Sequence, residues 1–322
     1  MEMRAFKKAT MALAAVAVLF SAQQAFAKTV NVTLTAKEVD VPTNGALVGG
    51  SNTMAAWTFD GTVPGPVVRV EEGDTVDFTL INPAENKNSH AIDFHAAFVN
   101  VLDEFAQIKP GETKKFKFEA KVPGVFMYHC GASPMVQHIA RGMYGVILVD
   151  PKDKKNYPKA DREYVLVQSQ YFPDVDNYNA MLNDANAWKG SLINGQVFHY
   201  DPVHDPAGDH DTLEALPGER VRIYFVNANI NNPVALHPIA SMWDRVYING
   251  NPKNQLHGIQ TYNVAVAEAS TFDLVTPKDK DVAGIAIVDH SMNAALRGAI
   301  TVLVSKKDAN PNKGKGEVIV IK

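Results

Sequence analysis

The chain has 322 residues, a formal net charge of −4, ten histidines and a single cysteine. This length exceeds one comfortable hydrophobic core and predicts two domains. The weakly acidic balance, without a long basic cluster, excludes nucleic-acid binding as the main role.

The N-terminal segment has the pattern of an export signal. Basic residues precede an apolar run from Ala9 to Phe20, and a small-x-small cleavage pattern ends at Ala27. We therefore predict a signal peptide over residues 1–27, cleaved near Ala27, and a periplasmic location. No later stretch approaches about 18 uninterrupted apolar residues, so we expect no membrane span.

Short β-branched or alternating runs dominate the chain after this segment. Examples are Thr29–Leu34, Val67–Val70 and Thr75–Leu80, which are separated by Gly, Pro and Asn. These patterns predict β-sandwich domains. The best helical pattern is Tyr178–Lys189, in which Trp188 is expected to be a packing residue.

Cys130 cannot form an internal disulfide, because it is the only cysteine of the chain. It follows His129 directly and precedes His138 and Met143 by 8 and 13 residues. With the more distant His90, the residues around Cys130 supply a thiolate, two imidazoles and a thioether, which are the ligands of a blue-copper electron-transfer site. We therefore predict a copper site formed by His90, Cys130, His138 and Met143.

The two halves of the chain repeat one another. Val70–Phe78 matches Leu216–Tyr224, and Ala140–Val149 matches Leu296–Val304. A repeat of this length predicts two copies of one sandwich. The polar segment that follows residue 150 marks the boundary, so the predicted domains span residues 28–155 and 156–322.

The second copy lacks the thiolate. In the alignment of the two halves, His290 and Ser291 correspond to His129 and Cys130. The second copy therefore cannot build a blue-copper site of its own. It keeps His237 and His290, the residue types expected of a domain that donates a ligand and an acid–base group to another metal.

A second metal site is predicted from the histidines that remain in the first copy. His95 and His129 offer two imidazoles, and an open catalytic site commonly uses three protein ligands. His290 is the natural third ligand, because the repeat places it at the same strand end as His129. Consecutive strand residues point to opposite faces, so His129 and Cys130 would join the two sites. A ligand from the second domain implies closure around a ring, with the neighbouring subunit as good a source of the ligand as the same chain. We therefore expect a homo-oligomer.

The chain resembles the copper-containing nitrite reductases, tandem-cupredoxin trimers that reduce nitrite to nitric oxide. The resemblance spans nearly all of the sequence after residue 27 and rests on Ser89–Ala97, Met127–Cys130, Arg141–Met143, His237–Ile239 and Asp289–His290. It implies an all-β fold of two tandem cupredoxin-like Greek-key β-sandwich domains. It also implies a homotrimer with two coppers per chain. The physiological role is either denitrification or nitrite detoxification, and a c-type cytochrome or small cupredoxin is the expected donor for an electron-transfer site of this kind.

The resemblance assigns a role to each candidate residue. It implies a type 1 copper held by His90, Cys130, His138 and Met143, and a type 2 copper held by His95, His129 and His290 of the adjacent subunit. Asp93 and His237 are then expected to flank the nitrite pocket and supply the two protons, while Ile239 shapes the pocket.

Three features depart from the family pattern. The interval from Cys130 to His138 is one residue shorter than in many relatives, and Met242 stands where many members carry a further histidine. The segment 98–105 is bulky where relatives are often rich in glycine. Access to the copper or to a redox partner is therefore expected to differ.

Two alternative functions remain at the level of sequence. A two-domain multicopper oxidase would reduce dioxygen at a cluster fed by His-x-His motifs, and none of the ten histidines forms such a motif. A non-enzymatic electron carrier would use the type 1 site alone. Such a carrier would not need His95, His290, Asp93 and His237 together.

Overall fold

The structure is a computed structural model and describes residues 27–43, 53–204 and 210–315. The predicted signal peptide therefore lies outside the described residues, apart from its last position. No helix within the described ranges is both long and apolar enough to cross a membrane.

The first half of the described chain forms two sheets of four strands each. Strands β2, β1, β4 and β6 form one sheet in that order, and β3, β8, β7 and β5 form the other. The elements of this half are Thr29–Pro42 (β1), Thr53–Phe59 (β2), Val68–Glu71 (β3), Thr75–Ile81 (β4), Asp93–Phe94 (β5), Thr113–Glu119 (β6), Gly124–His129 (β7), Met135–Ala140 (α1) and Tyr144–Asp150 (β8).

The second half forms a sheet of six strands and a sheet of five. Their orders are β10-β9-β12-β17-β14-β15 and β11-β19-β18-β13-β16. The elements of this half are Arg162–Tyr171 (β9), Tyr178–Asn183 (α2), Gly190–Ile193 (β10), Leu213–Ala215 (β11), Arg220–Asn227 (β12), Val234–Pro238 (β13), Trp243–Ile248 (β14), Gln255–Ile259 (β15), Tyr262–Val264 (β16), Ala269–Val275 (β17), Val282–Asp289 (β18), Met292–Ala295 (α3) and Ile300–Lys306 (β19).

The strand pairing repeats between the halves. In the first half β1 is parallel to β4, which is antiparallel to β6, and in the second β9, β12 and β17 pair in the same way. The other sheets repeat as well, because β3, β8, β7 and β5 correspond to β11, β19, β18 and β13. The predicted all-β fold of two tandem sandwiches is confirmed, and the exact domain bounds stay a prediction.

Alternating burial explains the packing of the strands. In β1, Val30, Val32 and Leu34 are buried, while the residues between them are exposed. Such alternation directs one face of a strand into the core of its sandwich. A third apolar core lies between the halves, where Met127 of β7 joins the same cluster as Val226 of β12.

The helix predicted for Tyr178–Lys189 is wrong in its second part. Helix α2 ends at Asn183, and the backbone N–H of Asn186 then donates to the Asp184 carboxylate, which favours a turn. The backbone N–H of Lys189 already pairs with Tyr171 of β9. The packing role of Trp188 is confirmed by its burial.

An ion-pair network crosses from the first half to the second. The Arg69 guanidinium lies 2.8 Å from Asp150 and 2.8 Å from Glu163 of β9, and the Tyr224 hydroxyl donates to Glu163 at 2.6 Å. Burial alone would raise the pKa of Glu163, but the hydrogen bonds from Arg69 and Tyr224 outweigh it and lower the pKa. Glu163 is therefore held as a carboxylate between the halves.

We predict that Glu163→Gln lowers the free energy of unfolding by about 1–2 kcal/mol at pH 7, because it removes a charge-assisted hydrogen bond. Folding lowers the pKa of Glu163. The stabilisation by its carboxylate is therefore present above the ordinary pKa of 4.5 and is lost as the pH falls through the pKa of Glu163 in the folded protein. Urea unfolding at pH 7 and pH 3.5 (about one unit lower than the ordinary pKa) measures both effects. Glu119→Gln, on an exposed position of β6, is the control and should change stability little. An equal effect of the two variants at pH 7 would contradict the prediction.

Candidate metal centres

The end of β7 directs two consecutive side chains into different groups of donor atoms. His129 is the last residue of β7 and lies opposite Asp93 of β5 and Tyr144 of β8. Cys130 follows and turns into the core of the first sandwich. Two separate clusters with metal-ligand chemistry result.

The buried cluster consists of His90, Cys130 and His138, with Met143 beside it. One ligand atom from each of the first three residues lies within 4.8 Å of the others, and all three are buried. The Cys130 Sγ lies 3.1 Å from His138 Nδ1. Met143 is fully buried, and its backbone carbonyl accepts from the Cys130 N–H at 2.9 Å, so its side chain enters the same core.

The protonation of the buried cluster suits a metal. Burial raises the pKa of the Cys130 thiol to about 11, although N–H groups of Ala132 and Ala91 act in the opposite direction. Burial, followed by the influence of His90, lowers the pKa of His138 to about 3. Both imidazoles are thus neutral, and His90 Nδ1 is buried without a hydrogen-bond partner. A bound copper would use that nitrogen and displace the thiol proton, so the residues fit the ion.

The outer cluster consists of Asp93, His95 and His129. The Nε2 atoms of the two histidines are 3.1 Å apart, and Asp93 Oδ2 lies 3.8 Å from His129 Nε2. Two nitrogens at ordinary ligand distances of about 2.0–2.1 Å from one ion are separated by about 3 Å. The outer cluster therefore has the spacing of a metal site.

Backbone contacts fix the ring of His129. Its Nδ1–H donates to the Cys130 carbonyl at 3.0 Å, since a carbonyl can only accept, and Nε2 keeps its lone pair. His95 is partly open to solvent, yet loss of surrounding water and the neighbouring His129 lower its pKa. The Nε2 atoms of both rings therefore point toward the same position.

His237 and His290 form a separate pair at the surface of the second sandwich. Their ring centroids are 5.3 Å apart, and His290 is exposed. The Nδ1–H of His237 donates to the Gln260 carbonyl at 2.8 Å, which leaves Nε2 for other contacts. Within the residues that the structure describes, His290 belongs to neither cluster of its own chain.

A buried carboxylate shapes the turn that carries His290. Asp289 Oδ1 accepts from the backbone N–H groups of Ala235 and Ser291, while Oδ2 accepts from Gln168 at 2.9 Å. The position of His290 therefore depends on the packing of the second sandwich and is set before any partner binds.

Strand register corrects the predicted correspondence of the two copies. His129 pairs with Tyr144 of β8, and Val288 pairs with Ile300 of β19, which the repeat aligns with Tyr144. On the other side, His129 pairs with Asp93 and Val288 pairs with His237. The residue equivalent to His129 is therefore Val288, and His290 lies two positions further. The register also makes His237 the equivalent of Asp93.

Ile239 is 45% exposed and follows β13 beside His237. In the bulky segment 98–105, Phe98 and Leu102 are 65% and 85% exposed, while Val99 and Phe105 pack on the first core. The segment thus presents an apolar surface after His95.

Trp57 of β2 was not predicted from the sequence and covers the buried cluster. Its ring centroid lies 4.6 Å from that of His138 and 5.7 Å from that of His90. The Arg141 guanidinium lies over the Trp57 ring, 4.7 Å from its centroid, within range of a cation–π contact. No local motif marks Trp57, because its contact depends on long-range packing.

The helix that carries His138 is fastened to the second half. The Gln137 amide of α1 donates to Asp176 at 2.5 Å, and the Tyr178 hydroxyl donates back to Gln137 at 3.2 Å. The bond between Arg141 and Asp176 at 3.5 Å adds to this contact. The position of α1 therefore depends on the segment that begins α2.

Known proteins that resemble the chain hold copper. The family described as Multicopper oxidase matches residues 41–154. The copper nitrite reductase of Nitrosomonas europaea is 55% identical, with a TM-score of 0.84 over 91% of this chain and 100% of that one. The Thermus scotoductus copper-containing nitrite reductase is 29% identical, with a TM-score of 0.76 over 91% and 66%.

Sequence relatives agree with these structures. The copper-containing nitrite reductase of Neisseria gonorrhoeae is 34% identical over 79% of this chain and 64% of its own length. That of Pseudomonas chlororaphis is 31% identical over 63% and 59%. The chain thus spans slightly less than two thirds of the length of these curated relatives.

The two clusters predict separate losses of metal. We expect Cys130→Ser to abolish the visible thiolate–copper absorption and to lower the copper content from two ions to one per chain, because the soft sulfur ligand is removed. His129→Ala should also remove one copper but keep the absorption. Elemental analysis and visible spectroscopy measure both, and loss of the colour in both variants would contradict two independent centres.

Proposed function

The chain belongs to the copper-containing nitrite reductases, and we propose that it reduces nitrite to nitric oxide and water at a type 2 copper fed by a type 1 copper. The observation that carries this proposal is the junction of two ligand clusters through the consecutive residues His129 and Cys130. A chain that only carried electrons would have no use for the outer cluster.

The proposed ligands follow from the two clusters. The buried cluster would hold the type 1 copper through His90, Cys130, His138 and Met143. The outer cluster would hold the type 2 copper through His95, His129 and the His290 of an adjacent subunit. When bound, the two coppers supply a site that accepts one electron from a donor and a site that delivers it to nitrite.

Asp93 is proposed to bind nitrite and to donate a proton. Its carboxylate is half-buried and lies 3.8 Å from His129 Nε2, so it borders the position that an incoming anion would occupy. Reduction of nitrite to nitric oxide and water takes up one electron and two protons. A carboxyl group beside the breaking N–O bond can supply one of these protons as a general acid.

His237 is proposed to orient a water molecule and to supply the second proton. The bond from its Nδ1–H to the Gln260 carbonyl holds the ring, and Nε2 is the atom that exchanges a proton. An imidazole changes its charge near neutral pH, which suits this role. Ile239, which follows on the same strand end, would give the pocket an apolar wall and limit the size of the substrate.

A homotrimer is proposed because, among the residues that the structure describes, the outer cluster contains two imidazoles and no third. His290 is exposed. Three apolar residues are exposed as well: Met292, two positions after His290, and Ile239 and Met242, which follow the neighbouring strand β13. A second copy of the chain would cover these apolar side chains and bring His290 to the outer cluster. Closed rings of this kind need the same interface at every subunit.

The cellular setting is part of the same proposal. Export to the periplasm by the segment 1–27 would place the protein where small redox proteins carry electrons. A c-type cytochrome or a small cupredoxin is the proposed donor, and the activity would serve denitrification.

Dioxygen reduction is the second candidate function, favoured by the match of residues 41–154 to the multicopper oxidases. The chain lacks His-x-His motifs, which argues against this candidate.

Anaerobic release of nitric oxide from nitrite with an artificial donor tests the proposal. Oxygen consumption without nitric oxide formation would favour the oxidase.

We predict that Asp93→Asn lowers the rate of nitric oxide formation by about 10²-fold or more, because an amide cannot act as the general acid. Copper content and visible absorption should remain those of the unchanged protein. Asp77→Asn, on β4, is the control and should leave the rate unchanged. A full rate in Asp93→Asn would exclude the proposed role.

A subunit-mixing experiment tests the source of His290. His290→Ala and His129→Ala should each be inactive alone, because each breaks the type 2 site. When the two are co-expressed in equal amounts and form trimers, about a quarter of the sites combine an intact outer cluster with an intact neighbouring His290. We therefore expect about a quarter of full activity. No recovery in verified mixed trimers would mean that His290 does not cross between subunits.

A further inference from the structure

Glu38 of β1 contacts the buried cluster from a remote part of the sequence. Its Oε1 atom lies 3.3 Å from His90 Nε2, although the two residues are 52 positions apart. The His90 side chain is fully buried, and that of Glu38 is only 16% exposed. The contact is therefore largely protected from water.

The same oxygen of Glu38 also holds the backbone that leads to His90. It accepts from the backbone N–H groups of Lys87 at 3.0 Å and Asn88 at 2.9 Å, and from the Asn88 side-chain amide at 3.1 Å. An oxygen that receives all these donors acts as an ionised carboxylate, which only accepts. Glu38 thus fixes both the segment before His90 and the ring itself.

The contact decides which nitrogen of His90 is free. Because the carboxylate accepts, Nε2 carries the hydrogen and Nδ1 keeps the lone pair. Nδ1 is the buried atom that has no hydrogen-bond partner and belongs to the buried cluster. Without Glu38, the ring could adopt the other tautomer or rotate away.

We propose that Glu38 is a positioning residue for the type 1 copper, which orients His90 and lowers the reduction potential of the site through its negative charge. A carboxylate bonded to a ligand imidazole makes that imidazole a stronger donor, and a stronger donor favours the more highly charged, oxidised ion. The inference rests on the copper site of the proposed function and does not depend on nitrite as the substrate.

Trp57 lies opposite Glu38 in the pairing of β1 with β2 and covers the same ligands from another side. The indole carries no charge and would mainly exclude water. Glu38 is therefore the group among these neighbours that brings a full negative charge to a ligand.

The test compares Glu38→Gln with the unchanged, copper-loaded full-length protein. The amide keeps an acceptor oxygen and removes the charge. Potentiometric titration, followed by the thiolate–copper absorption, should show the equilibrium shifted toward the reduced ion by about tenfold, or about 59 mV for a one-electron couple. The absorption band should persist, since Cys130 is unchanged.

Asp60→Asn is the matched control. Asp60 lies next to β2, and its carboxylate accepts from the backbone N–H of Thr35 in β1 at 2.8 Å, but its charge does not contact the buried cluster. Its removal should leave the potential unchanged. An equal shift in both variants, or an unchanged potential in a folded Glu38→Gln protein, would overturn the proposal and leave Glu38 a structural role only.

A second variant keeps the proposal testable if Glu38→Gln does not fold. Asn88→Ala removes one competing donor from Glu38 Oε1, so the carboxylate should interact more strongly with His90 and lower the potential. A raised or unchanged potential would overturn the proposal. The reduction potential is measured without turnover. If the potential shifts as expected but the protein releases no nitric oxide, only the proposed function is contradicted.

Discussion

The alternation of side chains at the end of β7 is the constraint on which the molecule depends. His129 and Cys130 are neighbours in sequence, yet His129 joins His95 and Asp93 in the outer cluster, while Cys130 lies in the core of the first sandwich. A covalent path of minimal length therefore links two chemically different environments. The buried environment shields the sulfur from water, while the outer cluster contains the exposed His95.

The repeat gives the second half a complementary part in this arrangement. Strand register makes His237 the equivalent of Asp93, so the two proposed proton donors occupy the same position in two copies of one fold. The second copy has no thiolate and carries the exposed His290 in a turn whose backbone is bonded to the buried Asp289 carboxylate. The two copies therefore differ in their side chains: among the described residues, both clusters with metal-ligand chemistry belong to the first copy.

Local patterns predicted much of this from the sequence. The strands near residues 29, 67 and 75 and the tandem sandwiches follow from alternation and from the repeat, and the ligand types around Cys130 suggested copper. Helix α2 is shorter than predicted, because Asp184 and Asn186 favour a turn that periodicity does not reveal. The sequence alignment matched His129 with His290, whereas the strand register matches it with a residue two positions earlier. Only the hydrogen-bonded register of the strands reveals such a shift. Glu38 and Trp57 carry no local signal, because their roles arise where β1 and β2 pack against a distant segment.

The hydrogen bonds between α1 and the start of α2 couple the position of His138 to the second half. His138 lies on α1, and Gln137 beside it is bonded to Asp176 and Tyr178 of the second half. A displacement of that surface by a docked protein would move α1 and change the distance between His138 and the Cys130 sulfur. The visible absorption of a copper held by these two residues would then change when the surface of the second half is displaced.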